Sequence, residues 1–422
     1  MDIGTSSFLA FVLLMAGIIY FKRHQLEIHG PIAMTRTGRF RKEIISLATK
    51  YRGFWKAYFS LGIIVAMITL VLGTILVGAS TVDILSGSGN SAFGLVIPYP
   101  TSELSFGSGI VKTPIWLWVF AIAILIIPHE FSHGLALAMN KLRIKSLGMM
   151  ALLVIPGAFV EPDEAQLKKA RRLHRIQVYC AGSFSNIVVG VLLIGLLYAF
   201  VGAFYAPAGV YFSLPVERLN TSEIVQVNNL SNGFLELMTQ NSSYLTLDEI
   251  WPKQKEMAEI VVLSDLPAAR NNISGALESI GGYPTKSREE VSMALSNFSP
   301  GNMVEVVTST NIYNVTLDER EGKAYLGILM SEGGILSKIS PMNEKYYEPK
   351  NAGFGGIGQF ILELLGFTIA VCIGVAVFNM LPMKPLDGGL VVEALTNAAV
   401  AKASSLIVLA ALLVNFGAAL FW

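Results

Sequence analysis

Residues 114–138 read PIWLWVFAIAILIIPHEFSHGLALA and carry three ionisable side chains inside an apolar run. A helix needs about 20 mainly apolar residues to cross the bilayer core, and this run is long enough. Ionisable groups in such a span are costly, so His129, Glu130 and His133 indicate a functional site. Positions i and i+4 lie on one face of a helix, where two imidazoles can share a metal ion. The glutamate after the first histidine can reach a water molecule on that ion.

The composition of the whole chain is that of a membrane protein with a modest soluble part. Of its 422 residues, 53% are hydrophobic and 14% are charged, whereas about 25% are charged in a typical soluble domain. These values exclude a disordered chain, a nucleic-acid-binding protein with a basic face and an ordinary cytosolic enzyme. Cys180 and Cys372 lie in apolar runs, so we expect buried side chains and not a disulfide.

Six stretches are apolar enough for transmembrane helices: residues 6–20, 59–79, 114–138, 177–204, 358–381 and about 404–422. The first is interpreted as a retained span and not a signal peptide, because basic residues follow it and no cleavage site is evident. The predicted fold class is therefore an α-helical polytopic membrane protein with about six transmembrane helices and one inserted α+β domain. Its predicted regions are the first span with a basic loop (1–56), membrane helices with the HExxH motif and a re-entrant loop (57–204), a polar insert (205–350) and the last membrane helices (351–422).

The charges of the loops predict the orientation of the helices. Loops 21–56 and 141–175 are rich in Lys and Arg, whereas loop 80–113 has Lys112 as its only basic residue. We therefore expect the basic loops in the cytoplasm, and the insert and both chain ends outside. Glycosylation sequons agree, or else reflect only the Asn and Ser content of the insert; they begin at Asn220, Asn229, Asn241, Asn272, Asn297 and Asn314.

The second half of the insert, residues 266–331, has a recognisable order of elements. A turn or short helix leads to a strand, a Gly281-Gly282 turn, a helical segment at 287–296 and two alternating segments at 303–309 and 313–317. This order resembles the PDZ-like domains of membrane and periplasmic proteases, which bind extended peptides at a sheet edge. An unrelated small α+β domain is the alternative.

The apolar loop 147–160 is too short to span a membrane comfortably and follows the histidine motif. It is interpreted as a re-entrant or strand-like element beside the active site. A substrate helix must unwind before it is cut, since its amides are hydrogen-bonded within the helix. We therefore expect a strand edge here, at residues 149–154, to hold unwound substrate.

A third metal ligand is expected because catalytic zinc sites usually have three protein ligands. The segment NMLPMKPLDGG (379–389) ends the fifth span, and its two prolines break the helix. An aspartate at such a break can point back into the bundle, which makes Asp387 a candidate, although a helix cap is the alternative. Further candidates are His174, Glu161 and Glu164 in the basic loop.

HExxH in a membrane span, followed far downstream by Asn-x-x-Pro-x-x-Pro-Leu-Asp-Gly-Gly, resembles the site-2 protease family of intramembrane zinc metalloproteases, of archaeal or bacterial type. The segment AGSFSN (181–186) is similar to the family motif Ala-Gly-Pro-x-x-Asn, with Ser183 where proline is usual. The position of the PDZ-like insert also matches that family. The resemblance implies that His129, His133 and Asp387 are Zn2+ ligands. It implies that Glu130 is the general base. It also implies that Asn186 and Asn379 position the substrate carbonyl or stabilise the oxyanion.

The resemblance further implies an activity, which is hydrolysis of peptide bonds within or near the transmembrane segment of single-span membrane proteins after a prior extracytoplasmic cut. The PDZ-like domain would bind a peptide or a chain terminus, and no nucleic acid is expected. The protein would lie in the cell membrane with its site nearer the cytoplasmic face. Two alternatives remain, a membrane-anchored zinc peptidase that cuts soluble or juxtamembrane segments and a non-catalytic PDZ-bearing scaffold.

Overall fold

The computed structural model describes residues 3–87, 91, 94–106, 110–153, 155–230, 233–330, 340–343 and 345–421. Contacts divide the chain into two compact units. The helical unit comprises Met1–Gly195 and Phe360–Trp422, and the insert unit comprises Leu196–Gln359.

The long apolar runs form helices, whose interior backbone N–H and C=O groups pair within the segment. The described helices are α1 (Ile3–Lys22), α2 (Arg41–Lys50), α3 (Arg52–Leu85), α4 (Ile115–Met139), α5 (Glu164–Lys169), α6 (Arg172–Phe204), α7 (Trp251–Gln254), α8 (Pro267–Arg270), α9 (Arg288–Ser296), α10 (Gly355–Asn379), α11 (Asp387–Leu395) and α12 (Ala398–Phe421). Among the described residues, six helices are long and apolar enough to cross a membrane. This number agrees with the predicted polytopic helical membrane protein. Both cysteines are buried and free, as predicted.

The last span begins earlier than the sequence predicts, at Ala398 instead of residue 404. Helix α11 ends before Thr396, whose backbone is not helical (φ −118°, ψ −104°). The Asn397 Oδ1 atom then accepts hydrogen bonds from the amides of Ala399 and Val400. This side chain caps the next helix, and a cap of this kind defines where a helix starts.

The strands of the helical unit are β1 (Glu27–His29), β2 (Ile32–Thr37), β3 (Leu95–Tyr99), β4 (Ser105–Phe106), β5 (Ile110–Pro114), β6 (Ile144–Leu152) and β7 (Ile155–Pro162). Four of them form an antiparallel sheet in the order β1-β2-β6-β7. The strand-like prediction for residues 147–160 is confirmed as the hairpin of β6 and β7.

The expected position of the open edge is wrong. Strand β6 pairs with β2 on one side and β7 on the other, so residues 149–152 do not offer an edge; Val154 lies outside the described residues. Strands β1 and β2 are not evident from the sequence, because they are short and lie in a charged loop. Their pairing with β6 moves the edge of this sheet to β7.

A buried polar network joins α3 and α12. Asn415 is fully buried, and its Oδ1 atom accepts a hydrogen bond of 2.6 Å from Ser80 Oγ. Its Nδ2 atom donates to Thr81 Oγ1 at 2.9 Å. Such interhelical hydrogen bonds hold apolar helices together where lipid provides no hydrophobic driving force.

The insert unit is an α+β structure with two larger sheets. Its strands are β8 (Tyr205–Val210), β9 (Val216–Asn220), β10 (Gln226–Asn229), β11 (Phe234–Met238), β12 (Ser243–Leu247), β13 (Glu259–Ser264), β14 (Leu277–Ile280), β15 (Tyr283–Pro284), β16 (Met303–Thr308), β17 (Ile312–Thr316), β18 (Asp318–Arg320), β19 (Lys323–Tyr325) and β20 (Lys345–Pro349). One sheet has the order β10-β11-β12-β13-β9, and the other has the order β17-β16-β14-β8-β20 with β15 paired to β14.

The elements expected between residues 266 and 317 form in the predicted order, α8, β14, α9, β16 and β17. Gly281 and Gly282 both have positive φ (56° and 81°), a region that favours glycine in a tight turn. Residues 216–264 build the separate five-stranded sheet around Leu219, Leu237 and Ile260. The PDZ-like assignment itself stays a prediction.

Candidate metal centre and active site

His129 and His133 lie one turn apart on α4 and direct their Nε2 atoms towards each other. These two atoms are 3.3 Å apart. His129 is 7% exposed, so the pair is largely removed from solvent. The helical spacing of the HExxH motif therefore produces the two-imidazole arrangement that the sequence predicts.

Asp387 completes a cluster of three donor groups. It is the first residue of α11, after the N-cap residue Leu386. Its Oδ2 atom lies 3.5 Å from His133 Nε2 and 3.8 Å from His129 Nε2. The ligand atoms of the three side chains all lie within 4.8 Å of one another.

The glycines after Asp387 allow the sharp turn that returns this carboxylate to the histidines. A Cβ atom on Gly388 would overlap the carbonyl group of Met380, and one on Gly389 would overlap the backbone of Met383 and Lys384. Close backbone approach of this kind requires glycine. The Leu-Asp-Gly-Gly motif thus has a steric basis in this fold.

The second nitrogen of each imidazole has its own buried partner. His133 Nδ1 lies 2.8 Å from the carbonyl oxygen of Val178, to which it can donate. His129 Nδ1 lies 3.1 Å from the Asn186 side-chain amide, whose Oδ1 atom is buried and has no hydrogen-bond partner among the described residues. Since amide orientation is assigned from the network, a rotated amide lets His129 Nδ1 donate to Oδ1. Both Nε2 atoms then keep a lone pair for a metal, a usual arrangement for metal-binding histidines.

Gly182 keeps the space beside these two Nε2 atoms open. A Cβ atom at this position would overlap both His129 Nε2 and His133 Nε2. This glycine belongs to the 181–186 motif, but its role in the site is not evident from the motif alone. Two imidazoles and one carboxylate around an open space are a donor set suited to zinc, so the residues present fit a metal ion.

The site opens into a cavity of about 300 Å³. Its lining includes the three candidate ligands, the predicted base and one of the two predicted asparagines: His129, Glu130, His133, Asn379 and Asp387. Asn186 is fully buried behind His129 and is not among the lining residues. The two asparagines therefore occupy different places, one in the cavity and one behind a ligand, and their roles stay predictions.

Glu130 faces the edge of β7 that pairs with no other strand of the described residues. Its Oε2 atom accepts a hydrogen bond of 2.9 Å from the Val160 amide. Since neighbouring residues of a strand point their N–H groups to opposite sides, Ala158 shares the orientation of Val160. Pro156 and Pro162 lie two residues before Ala158 and two residues after Val160, so they face the same side of the strand. Prolines are tolerated at edge positions where no ladder hydrogen bond is lost.

Of the other candidate ligands from the sequence, His174 lies outside the donor cluster, and the two glutamates form ion pairs of their own. Glu161 accepts hydrogen bonds from Lys145 Nζ (2.6 Å), Ser146 Oγ (2.6 Å) and Arg36 Nε (3.2 Å). These contacts, led by that of Lys145, lower the pKa of the Glu161 carboxyl to about 2. The same contacts tie the end of β7 to β2 and β6. Glu164 pairs with Lys168, and neither glutamate joins the donor cluster.

Ser183, which departs from the proline of the family motif, is buried beside Asp387. Its Oγ atom lies 3.5 Å from Asp387 Oδ2. This residue is fully buried. The departure therefore adds a polar neighbour to the carboxylate and leaves the donor cluster intact.

Sequence comparison assigns the family. A model described as peptidase family M50 matches residues 117–421, which include every residue of the donor cluster. The chain belongs to peptidase family M50. This M50 chain is also similar to the membrane-bound transcription factor site-2 protease homolog of Arabidopsis thaliana, with 22% identity over 163 residues. The match covers 39% of this chain and 31% of that relative, so the shared region is about a third of the length of the curated relative.

Proposed function

We propose that this protein is an intramembrane zinc metalloprotease that hydrolyses peptide bonds within or near the transmembrane segments of membrane proteins. The observation that carries the proposal is the cluster of His129, His133 and Asp387 next to Glu130. The first three of these residues are two imidazoles and a carboxylate, which suit zinc. Both histidines lie on α4, a helix long and apolar enough to span a membrane. Membership of family M50 supports the same chemistry.

The chain's own residues would move the proton and hold the ligands. A bound zinc ion supplies Lewis-acid activation of water and of the scissile carbonyl. Glu130 takes a proton from the attacking water and delivers it to the nitrogen of the leaving amine. The Asn379 amide, which lines the cavity, donates to the substrate carbonyl oxygen. Val178 and Asn186 hold the two imidazoles in the orientation that leaves both Nε2 atoms available.

The free edge of β7 is proposed as the place where unwound substrate is held. A substrate strand that pairs with Ala158 and Val160 would run beside Glu130, because the Val160 amide already contacts that carboxylate. Addition of a strand to a sheet edge supplies backbone hydrogen bonds to an extended peptide. Pairing of the substrate with Val160 also releases Glu130 from this amide for proton transfer.

The membrane orientation and the partners follow from the charges and the insert. We propose that loops 21–56 and 141–175 lie in the cytoplasm, that the insert lies outside and that the site is nearer the cytoplasmic face. Single-span proteins that have first been cut outside are the proposed substrates. The insert would bind a peptide or the new terminus that such a cut exposes, as PDZ-like domains do.

The test is a Glu130→Gln variant reconstituted in lipid with a single-span substrate. We expect cleavage to fall at least ~100-fold, since general acid–base catalysis contributes about 10²–10⁴-fold. Zinc content should not change, because Glu130 is outside the donor cluster. The matched control is Glu164→Gln, which removes an exposed ion-paired carboxylate.

Three other outcomes would decide against the proposal. Retained cleavage in Glu130→Gln would refute the mechanism. Products cut only in soluble or juxtamembrane segments would support a membrane-anchored zinc peptidase instead. A wild-type protein that binds no zinc and cleaves nothing would support the scaffold alternative.

A further inference from the structure

The asparagines of the insert are unusually often part of glycosylation sequons. Residues 205–350 contain 12 asparagines, and six of them begin an Asn-x-Ser/Thr sequence. Seven asparagines lie elsewhere in the chain, and none of these begins such a sequence. The motif is therefore confined to the insert, which is one of the parts of the chain for which loop charge predicts an outside location.

All six sequon asparagines are exposed in the insert unit: Asn220, Asn229, Asn241, Asn272, Asn297 and Asn314. Burial would prevent a bulky sugar chain from being attached or accommodated. The chain also has fully buried asparagines, Asn186 and Asn415, and these are not in sequons. Every sequon asparagine is therefore accessible, and the sequon distinguishes these six from other exposed asparagines of the insert such as Asn311.

Three of the six asparagines lie on edge strands, which the sequence alone could not reveal. Asn220 ends β9 and Asn229 ends β10, and these are the two edges of the five-stranded sheet. Asn314 lies within β17, an edge of the other large sheet. Unprotected strand edges are templates for pairing with another chain, and proteins cover them with charges, prolines or bulky groups.

We propose that the insert unit is N-glycosylated, and that sugar chains at Asn220, Asn229 and Asn314 protect its sheet edges. The donor is an oligosaccharide linked to a polyisoprenyl diphosphate. The bond between sugar C1 and the phosphate oxygen breaks, C1 forms a bond to the asparagine Nδ2, this nitrogen loses one proton and the lipid diphosphate leaves. The proposal does not depend on protease activity.

The direct test is peptide mass spectrometry of the full-length protein purified from its native membranes. We expect peptides with Asn229 and Asn314 to carry added masses of hexose or N-acetylhexosamine units. The exposed Asn311, which is not in a sequon, is the internal control and should be unmodified. Unmodified asparagine at all six positions, or equal modification of Asn311, would overturn the proposal.

A matched pair of substitutions tests the edge of β17. Thr316→Val removes the sequon of Asn314 without changing the asparagine, and Thr316→Ser keeps it. Thr316 is exposed, so both variants should fold. We expect the glycopeptide to disappear only in Thr316→Val. We also expect the combined variant Asn229→Gln/Thr316→Val to show at least about twice the oligomer fraction of the wild-type protein in size-exclusion chromatography. Equal glycopeptide yields in the two Thr316 variants, or unchanged oligomerisation of the combined variant, would contradict the corresponding part of the proposal.

Discussion

Single side chains around His129 and His133 determine whether three ligands can share one ion. Asn186 and Val178 restrict the two rings through their Nδ1 atoms, and Gly182 leaves room beside the Nε2 atoms. Metal affinity depends on such supporting groups almost as much as on the ligands. The site therefore depends on these side chains and on a glycine at position 182, where a side chain would overlap the imidazoles.

We predict that Gly182→Ala lowers zinc affinity, because its methyl group would enter the space between the two imidazoles. The expected loss is at least about 10-fold, the lower range for disturbed supporting groups of zinc sites. Competition with a chromogenic chelator measures it. Gly195→Ala is the control on the same helix, since a Cβ there meets no atom within 4 Å. Full zinc affinity in Gly182→Ala would show that the site lies elsewhere or opens further.

Strand β7 is part of the β1-β2-β6-β7 sheet of the helical unit and is also the proposed pairing edge for substrate. One side of this strand pairs with β6, and its other side contacts Glu130. The ion pairs of Glu161 with Lys145 and Arg36 hold its end in place. Among the described residues, no second strand pairs with the outer edge of β7.

We predict that Ala158→Pro reduces cleavage, because it removes an outward N–H from the edge of β7 and leaves the pairing with β6 in place. Loss of this backbone hydrogen bond to substrate, worth roughly 0.5–1.5 kcal/mol, should lower kcat/KM about 2- to 13-fold. Zinc content should not change. Ala158→Ser keeps the N–H and serves as the control. Equal kcat/KM in the proline and serine variants would exclude pairing of substrate at this edge.

At the scale of the whole molecule, six helices of the described residues are long and apolar enough to cross a membrane, and two basic loops support the proposed orientation. Loop charge and the positions of the sequons support the proposed orientation, and cysteine labelling measures it directly. The native cysteines would give little background in such labelling, because both are buried and would react little with a thiol reagent. Introduced cysteines can therefore report on sidedness.

We predict that a membrane-impermeant maleimide labels Lys253→Cys in intact cells and labels Lys169→Cys only after permeabilisation. Both lysines are exposed, one in the insert and one in the loop 141–175. Gel-shift detection of the labelled protein measures the result. The reverse labelling pattern would show the opposite membrane orientation. It would not contradict the proposed zinc site or its catalysis.

Much of this protein could be predicted from local patterns. Apolar runs identify helices because a bilayer core leaves the backbone no other partner. The HExxH spacing brings two imidazoles together because an α-helix repeats every 3.6 residues. The third member of the donor cluster is recognisable from a motif, although Asp387 lies 254 positions after His133. Membership of family M50 confirms the predicted family.

Other features depend on contacts between distant segments. The pairing of β2 with β6 decides that β7 is the edge strand, and no local pattern predicts it, since strand partners are chosen across the chain. The position of Asn186 behind His129 and the open space at Gly182 depend on how α6 packs against α4. The residues that can bind a metal thus follow from helical periodicity and composition. Their supporting contacts, and the edge beside Glu130, follow from long-range packing, because only packing brings separate elements within hydrogen-bonding distance.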